Sequence, residues 1–135
     1  RITVVYGARS PDELIYKYDL AEWAKRDDIQ LHVTVDAGDT SWDGLVGYVP
    51  NILKEVAPSP DNAVAVVCGP PIMIKFSIPV LTELGFAPGR ILNSLEMRMK
   101  CGIGKCGRCN VGDKYVCKDG PVFTFEELQR MPKEY

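Results

Sequence analysis

Apolar residues along this chain come in four short runs, each closed by glycine or a polar cluster, with helical spacing between them. The first run, "ITVVYG" at 2–7, reads as a buried strand. In "SPDELIYKYDLAEWAKRDD", Ser10 can cap a helix, Pro11 suits its first position and Glu13 stands three residues after the cap. That pattern predicts a helix, in one piece or two, to about Arg26. "IQLHVTVD" at 29–36 is the second strand, rich in β-branched residues. A Gly/Asp-rich loop follows, then a short helix, "YVPNILKEV", that ends before Pro58. "NAVAVVCG" at 62–69 is apolar throughout, the signature of a central parallel strand covered on both faces. "PPIMIKFSIPVLTELG" predicts a helix opened by proline and closed at Gly85. "RILNSLE" at 90–96 is the fourth strand. Strands alternating with helices predict an α/β fold with a parallel, Rossmann-like sheet and right-handed crossovers.

The alternation stops after Glu96. "KCGIGKCGRCNVGDKYVC" has too many glycines for a helix and too few apolar residues for a core. Beyond it, "TFEELQRM" predicts a last helix, with Thr124 and Glu127 as a capping box and Phe123 and Leu128 as its staple. These breaks divide the chain at Glu96: residues 1–96 form the α/β part, and 97–135 a cysteine segment with a C-terminal helix.

Composition narrows the function. A hydrophobic fraction of 46% and a charged fraction of 25% over 135 residues are those of a globular domain. The net charge of −2 argues against nucleic acid as a partner. No apolar run reaches the length of a membrane helix. No export signal is visible, which makes a reducing cytoplasm the simplest setting. In that setting, four of five cysteines crowded into seventeen residues point to a metal rather than to disulfides. The chain opens on Arg1 and enters strand-like sequence at once, as a piece of a longer chain would.

Cys101, Cys106, Cys109 and Cys117 are spaced C-x4-C-x2-C-x7-C. The first three match the run that holds a [2Fe–2S] cluster. Such a cluster needs backbone amides turned toward sulfur, hence unusual dihedrals that Gly102, Gly104 and Gly107 supply. Arg98, Lys100, Lys105, Arg108 and Lys118 can offset its negative charge, or simply be solvated surface. Structural zinc is the rival, although zinc sites usually show two short ligand pairs separated by a longer stretch. Uncommitted thiols are the third alternative.

Ligands of open parallel sheets bind beyond the carboxyl ends of the strands. Four segments gather there: "YGARS", "VDAGD", "VCGPP" and "SLEMR". Arg9, between a strand and a helix start, is well placed to meet phosphate or to be an ordinary surface arginine. By position alone Cys68 is a small buried hydrophobe. His32, Trp23 and Trp42 read as packing or surface residues with no partner motif.

"YGARS", "GLVGYV" and "VVCGPPIM", in that order, resemble the nicotinamide-binding domain of the ferredoxin–NADP reductase family. "SLEMRMKCGIGKCGRC" resembles the electron-transfer subunit of dihydroorotate dehydrogenase. The tail including "YVCKDGPVF" looks still more like the gamma subunits of soluble sulfhydrogenases and the B subunit of anaerobic sulfite reductase. The resemblance implies electron flow from NAD(P)H through FAD to a [2Fe–2S] cluster and on to a partner subunit, such as a hydrogenase, sulfur reductase or sulfite reductase. It implies that Cys101, Cys106, Cys109 and Cys117 ligate the cluster. Cys68, Gly69 and Pro70 would line the nicotinamide pocket, with Met73 nearby. Gly7, Ala8, Arg9 and Asp36 would approach the adenosine or phosphate end, and Glu96 the meeting point of nicotinamide and flavin. No general base is implied, because the cofactors carry the chemistry.

Two departures from that family matter. The seven-residue gap before Cys117 is shorter than the dihydroorotate enzyme's subunit usually has, which favours the hydrogenase and sulfite-reductase relatives. The family's flavin-binding barrel and first, central strand with its Gly-rich loop do not occur in these residues. The expectation is a piece that holds no FAD and binds NAD(P)H poorly by itself. Its incomplete sheet would close by different pairing, by borrowing from a neighbouring chain as a homo-oligomer, or as part of a larger molecule. Dihydroorotate dehydrogenase electron transfer, and a zinc-stabilised docking module, remain the alternatives. Neither NAD nor NADP is favoured: Arg9 and Ser10 could receive a 2′-phosphate that Asp12 and Glu13 would oppose.

Overall fold

The computed structural model describes residues 1–132. The chain divides into two compact units, Arg1–Pro58 and Ser59–Tyr135.

In the first unit β1 (Ile2–Ala8) and β2 (Ile29–Val35) run parallel, in register from Ile2 opposite Ile29 to Ala8 opposite Val35. A two-residue strand, β3 (Leu45–Val46), adds to the far side of β2. It lies inside the segment expected to be loop. The helices α1 (Lys17–Trp23) and α2 (Val49–Val56) follow β1 and β3 respectively. Leu14, Leu20, Val35 and Ile52 are buried. Thr34 is buried as well, and its hydroxyl donates to the Gly47 carbonyl at 2.7 Å. A Cβ at Gly7 would collide with Val49, so glycine here lets α2 lie close to β1.

The expected helix after β1 is in two pieces. A 3₁₀ turn covers Pro11–Glu13 and α1 begins only after Tyr16, whose φ is +56°. Ser10 makes no side-chain cap. Burial of Leu14 and the left-handed Tyr16 end the first piece before a capping box has a helix to cap. α1 stops at Trp23 rather than Arg26.

In the second unit β4 (Ala65–Cys68) pairs in parallel with β5 (Ile91–Ser94), and β8 (Val122–Thr124) runs antiparallel on the other side of β5. The helix α3 (Pro71–Glu83) joins β4 to β5 and closes at Gly85, whose φ is +96°. Val67, Ile74, Leu81, Phe86, Ile91, Leu95 and Phe123 form the core. Two expectations are corrected here. The described residues carry two three-stranded sheets and a two-stranded one instead of a single sheet, and the second is mixed because β8, which was not foreseen, runs antiparallel. β4 is not a central strand covered on both faces. Among the described residues it pairs only with β5, and Val66 is 70% exposed while its neighbour Val67 is buried. The run is apolar on both faces, but only one of them is covered.

The last helix, α5 (Phe125–Leu128), carries the expected capping box. The Glu127 amide donates to the Thr124 hydroxyl at 3.1 Å, and the Thr124 amide donates to the Glu127 carboxylate at 2.8 Å. These bonds from Thr124, its amide first, hold the Glu127 carboxyl below its ordinary range. No helix among the described residues is long and apolar enough to cross a membrane.

Candidate functional site

Between β5 and β8 the chain makes a lobe whose shape follows from a few local choices. Gly102, Gly104 and Gly107 all sit at φ +72°, the left-handed region that other residues enter only at a cost. These turns aim backbone amides inward. The Lys105 and Cys106 amides each donate to the Cys101 sulfur at 3.3 Å. The Gly104 amide donates to the Cys117 sulfur at 3.2 Å, and the Cys117 amide reaches the Cys109 sulfur at 3.5 Å.

The seven-residue gap between Cys109 and Cys117 is a hairpin. β6 (Asn110–Val111) and β7 (Lys114–Tyr115) pair antiparallel, and Gly112, at φ +59°, opens the two-residue connection. A single helical turn, α4 (Val116–Asp119), then presents Cys117. It is anchored by Val116 donating to the Cys109 carbonyl at 2.9 Å, and by the Tyr115 amide donating to the Asp119 carboxylate at 2.7 Å. Val111 and Val116 are buried beneath the lobe. Sequence reasoning missed this hairpin and turn. The signal was there: Gly-Asp between two short runs is a two-residue hairpin connection.

The four sulfurs fall into two pairs. Cys106 is within hydrogen-bonding reach of Cys101, and Cys109 of Cys117. Amide donation from Ile103, Cys106 and Lys105 lowers the Cys101 thiol to about 6. Cys117 is pushed upward instead. Its contact with Cys109 is the largest cause, followed by burial, and the charges of Cys109 and Cys101 add to it. Each of the four thiols thus interacts with another of the set. Yet among the described residues no group of three or more His, Cys, Asp or Glu is gathered as one metal ion requires. A single zinc with Zn–S bonds of about 2.3 Å would need all four sulfurs roughly 3.8 Å apart.

The candidate nucleotide residues form two groups, one in each unit. In the first unit Gly7, Ala8, Arg9 and Asp36 meet at the carboxyl ends of β1 and β2. The Asp36 amide donates to the Ala8 carbonyl at 3.0 Å and the Ala37 amide to the Arg9 carbonyl at 3.1 Å. The Arg9 and Asp36 side chains are both exposed. In the second unit Cys68 ends β4 and is exposed, not buried as its position alone suggested. Gly69 lies against Met73: a Cβ there would stand 2.6 Å from the Met73 methyl. Pro70 caps α3, and its carbonyl accepts from the Met73 amide at 2.9 Å. Cys68 is opposite Ser94 at the end of β5, two residues before Glu96 and the start of the cysteine lobe. Glu96 is exposed.

Residues 1–78 match the oxidoreductase NAD-binding domain family, and residues 96–129 match the iron–sulfur cluster binding domain of dihydroorotate dehydrogenase B. This chain belongs to the oxidoreductase NAD-binding domain family. Among curated relatives, the sulfhydrogenase 1 gamma subunit of Pyrococcus furiosus is 38% identical over 138 residues, covering 97% of this chain and 47% of the relative. A probable dihydroorotate dehydrogenase B electron transfer subunit of Thermococcus kodakarensis is 40% identical over 128 residues, covering 95% and 48%. A solved structure of an NADH-dependent reduced ferredoxin–NADP oxidoreductase matches 98% of this chain and 48% of its own, at 30% identity and a TM-score of 0.67. The chain therefore spans about half the length of these relatives. For this member of the oxidoreductase NAD-binding family, the second match falls on the lobe that gathers the four thiols.

Proposed function

We propose that this chain is the nucleotide- and cluster-bearing part of an electron-transfer subunit working in the cytoplasm. It takes electrons from NAD(P)H by way of FAD held outside these residues, and passes them to a partner subunit such as a hydrogenase, sulfur reductase or sulfite reductase. The observation that carries the reading is the two-plus-two arrangement of cysteine sulfurs, each pair served by backbone amides, inside the segment matched by an iron–sulfur family. When bound, FAD and a [2Fe–2S] cluster supply the conversion of hydride chemistry into single-electron transfer.

The residues of this chain hold and tune. Cys101 and Cys106 would hold one iron, Cys109 and Cys117 the other. Amides of Gly104, Lys105 and Cys106 stabilise the charged sulfurs without adding a titratable group. Cys68, Gly69, Pro70 and Met73 would receive the nicotinamide, and the Gly69–Met73 contact fixes how closely a ring can approach that backbone. Gly7, Ala8, Arg9 and Asp36 would take the adenosine end, and Glu96 would face the flavin. The working boundary in this proposal falls at Glu96, with the NAD(P) part before it and the cluster segment after it. Residues 1–135 alone would bind NAD(P)H weakly and hold no FAD.

Dihydroorotate dehydrogenase electron transfer stays as the second reading, because the matched cluster domain and the 40% identical relative carry that name. The test is anaerobic titration of the full-length protein with NADH and NADPH, followed by visible absorption. The expected result is joint bleaching of flavin and cluster bands by less than two equivalents of one nucleotide. Flavin reduction that leaves the cluster oxidised would contradict the proposal.

A further inference from the structure

The cysteine lobe has two unlike sides. Cys109 is 1% exposed and, like Val111 and Val116, buried, whereas Cys101 is half-buried and Cys106 exposed. The exposed pair is carried by a loop with almost nothing above it. Positions where Gly102 and Gly107 would bear a Cβ have no other atom within 4 Å. Two large apolar side chains stand out on the same loop, Ile103 at 61% exposure and Met99 at 45%. The sequence 97–112 contains Arg98, Lys100, Lys105 and Arg108 and no acidic residue. All four cations are exposed, and none pairs with a carboxylate among the described residues.

Compensation of a charged cluster accounts for some of this. It does not account for Ile103 and Met99, which lose free energy by standing in water and neutralise nothing. Two exposed apolar side chains on a loop that carries four exposed cations, with open space at Gly102 and Gly107, have the anatomy of a small docking face. It combines apolar and charged side chains, and backbone at the glycines allows close approach.

We propose that the Cys101–Cys106 side of the lobe is the electron exit. It docks a redox subunit that presents carboxylates around an apolar seat for Ile103, with its own redox centre directly behind that seat. The inference rests on the electron-transfer reading and adds the direction of exit and the partner's surface chemistry. Four cations with no counter-charge among the described residues select an acidic partner over a second copy of this chain, whose same face would repel it.

The experiment uses the full-length protein in its native complex with the subunit that co-purifies with it. A benzoyl-phenylalanine photo-cross-linker replaces Ile103 in one sample and Tyr18, 80% exposed in the first unit, in a control. The expected result is a cross-link from position 103 into an Asp/Glu-flanked segment of the redox subunit, and none from position 18. In parallel, K100E/K105E/R108E should weaken the subunits' affinity by on the order of tenfold or more at low salt, mostly through slower association. The effect should shrink as salt rises. If position 103 yields no cross-link, or if charge reversal shifts the reduction potential and leaves affinity unchanged, the cations serve only the cluster and the docking face is wrong. Iron content and the EPR signal, read on the same samples, report on the underlying reading separately. A zinc-bound or metal-free chain overturns both readings, whereas a fully loaded chain that fails to dock through this face overturns only this one.

Discussion

The β1–β2 unit and the cysteine lobe are built on opposite principles. β1 and β2 share a seven-residue parallel ladder and rest on buried Val35, Leu20 and Ile52, so the unit is specified by apolar packing and backbone pairing. The lobe between β5 and β8 has two-residue strands, one helical turn and four left-handed glycines. Much of its internal bonding runs from amides to sulfur. A region whose polar contacts converge on thiols is stabilised by whatever those thiols bind, and metal affinity there becomes folding free energy.

The sharpest way to break that contrast is to remove a buried ligand. Cys109→Ser should eliminate bound iron and expose the amides of residues 110–119 to rapid hydrogen exchange, while protection of β1 and β2 stays as before. Loss of protection in both regions would show that the two are not independent in this respect. Next in size is Gly7→Ala, which drives a methyl into Val49. It should destabilise the first unit by about 1–3 kcal/mol, seen as a lower urea midpoint, with the visible spectrum of the lobe retained. Gly104→Ala acts on the other side. It forces alanine to φ +72° and toward Lys118, at a cost of about 1–2 kcal/mol, and should lower iron occupancy without moving the Gly7-sensitive transition.

The pH dependence of the metal-free protein sharpens the same comparison. Cys101 is lowered to about 6 and Cys117 raised above its ordinary 9.0. Alkylation of Cys101 should therefore rise through a midpoint near pH 6, while Cys117 stays slow at neutral pH. Because the amides of its own loop hold Cys101 as thiolate where the unfolded chain holds a thiol, this group's contribution is fully present above pH 9 and disappears as pH falls through about 6. Equal alkylation rates at the two cysteines at pH 7 would contradict the amide-donation account. The smallest effect is that of Thr124→Ala, which removes the capping box of α5. It should cost about 1 kcal/mol, a few degrees in Tm, with both regions otherwise unchanged.

How legible each region was follows from the same physics. β1, β2, β4 and β5 were readable because short apolar or β-branched runs closed by polar residues or glycine mark them. The left-handed glycines at 102, 104 and 107 were readable because amides can turn toward closely spaced thiols only through such dihedrals. β3, β6, β7 and β8 are two or three residues long and carry no periodicity to detect. Two similar capping patterns gave different outcomes. Thr124 precedes a helix and caps it, whereas Ser10 precedes a single 3₁₀ turn that ends at buried Leu14. A motif states what a side chain can do, and the packing downstream decides whether it is done. Cys68 makes the same point: its strand is apolar enough for burial, but one face of that strand is uncovered in this structure.

The most direct test of the central claim, a thiolate site for two irons held as two cysteine pairs, is metal analysis with EPR on anaerobically purified protein. The account predicts two irons and two acid-labile sulfides per chain, with an S = 1/2 signal appearing on reduction. One tightly held zinc per chain, colourless and silent in EPR, would contradict it.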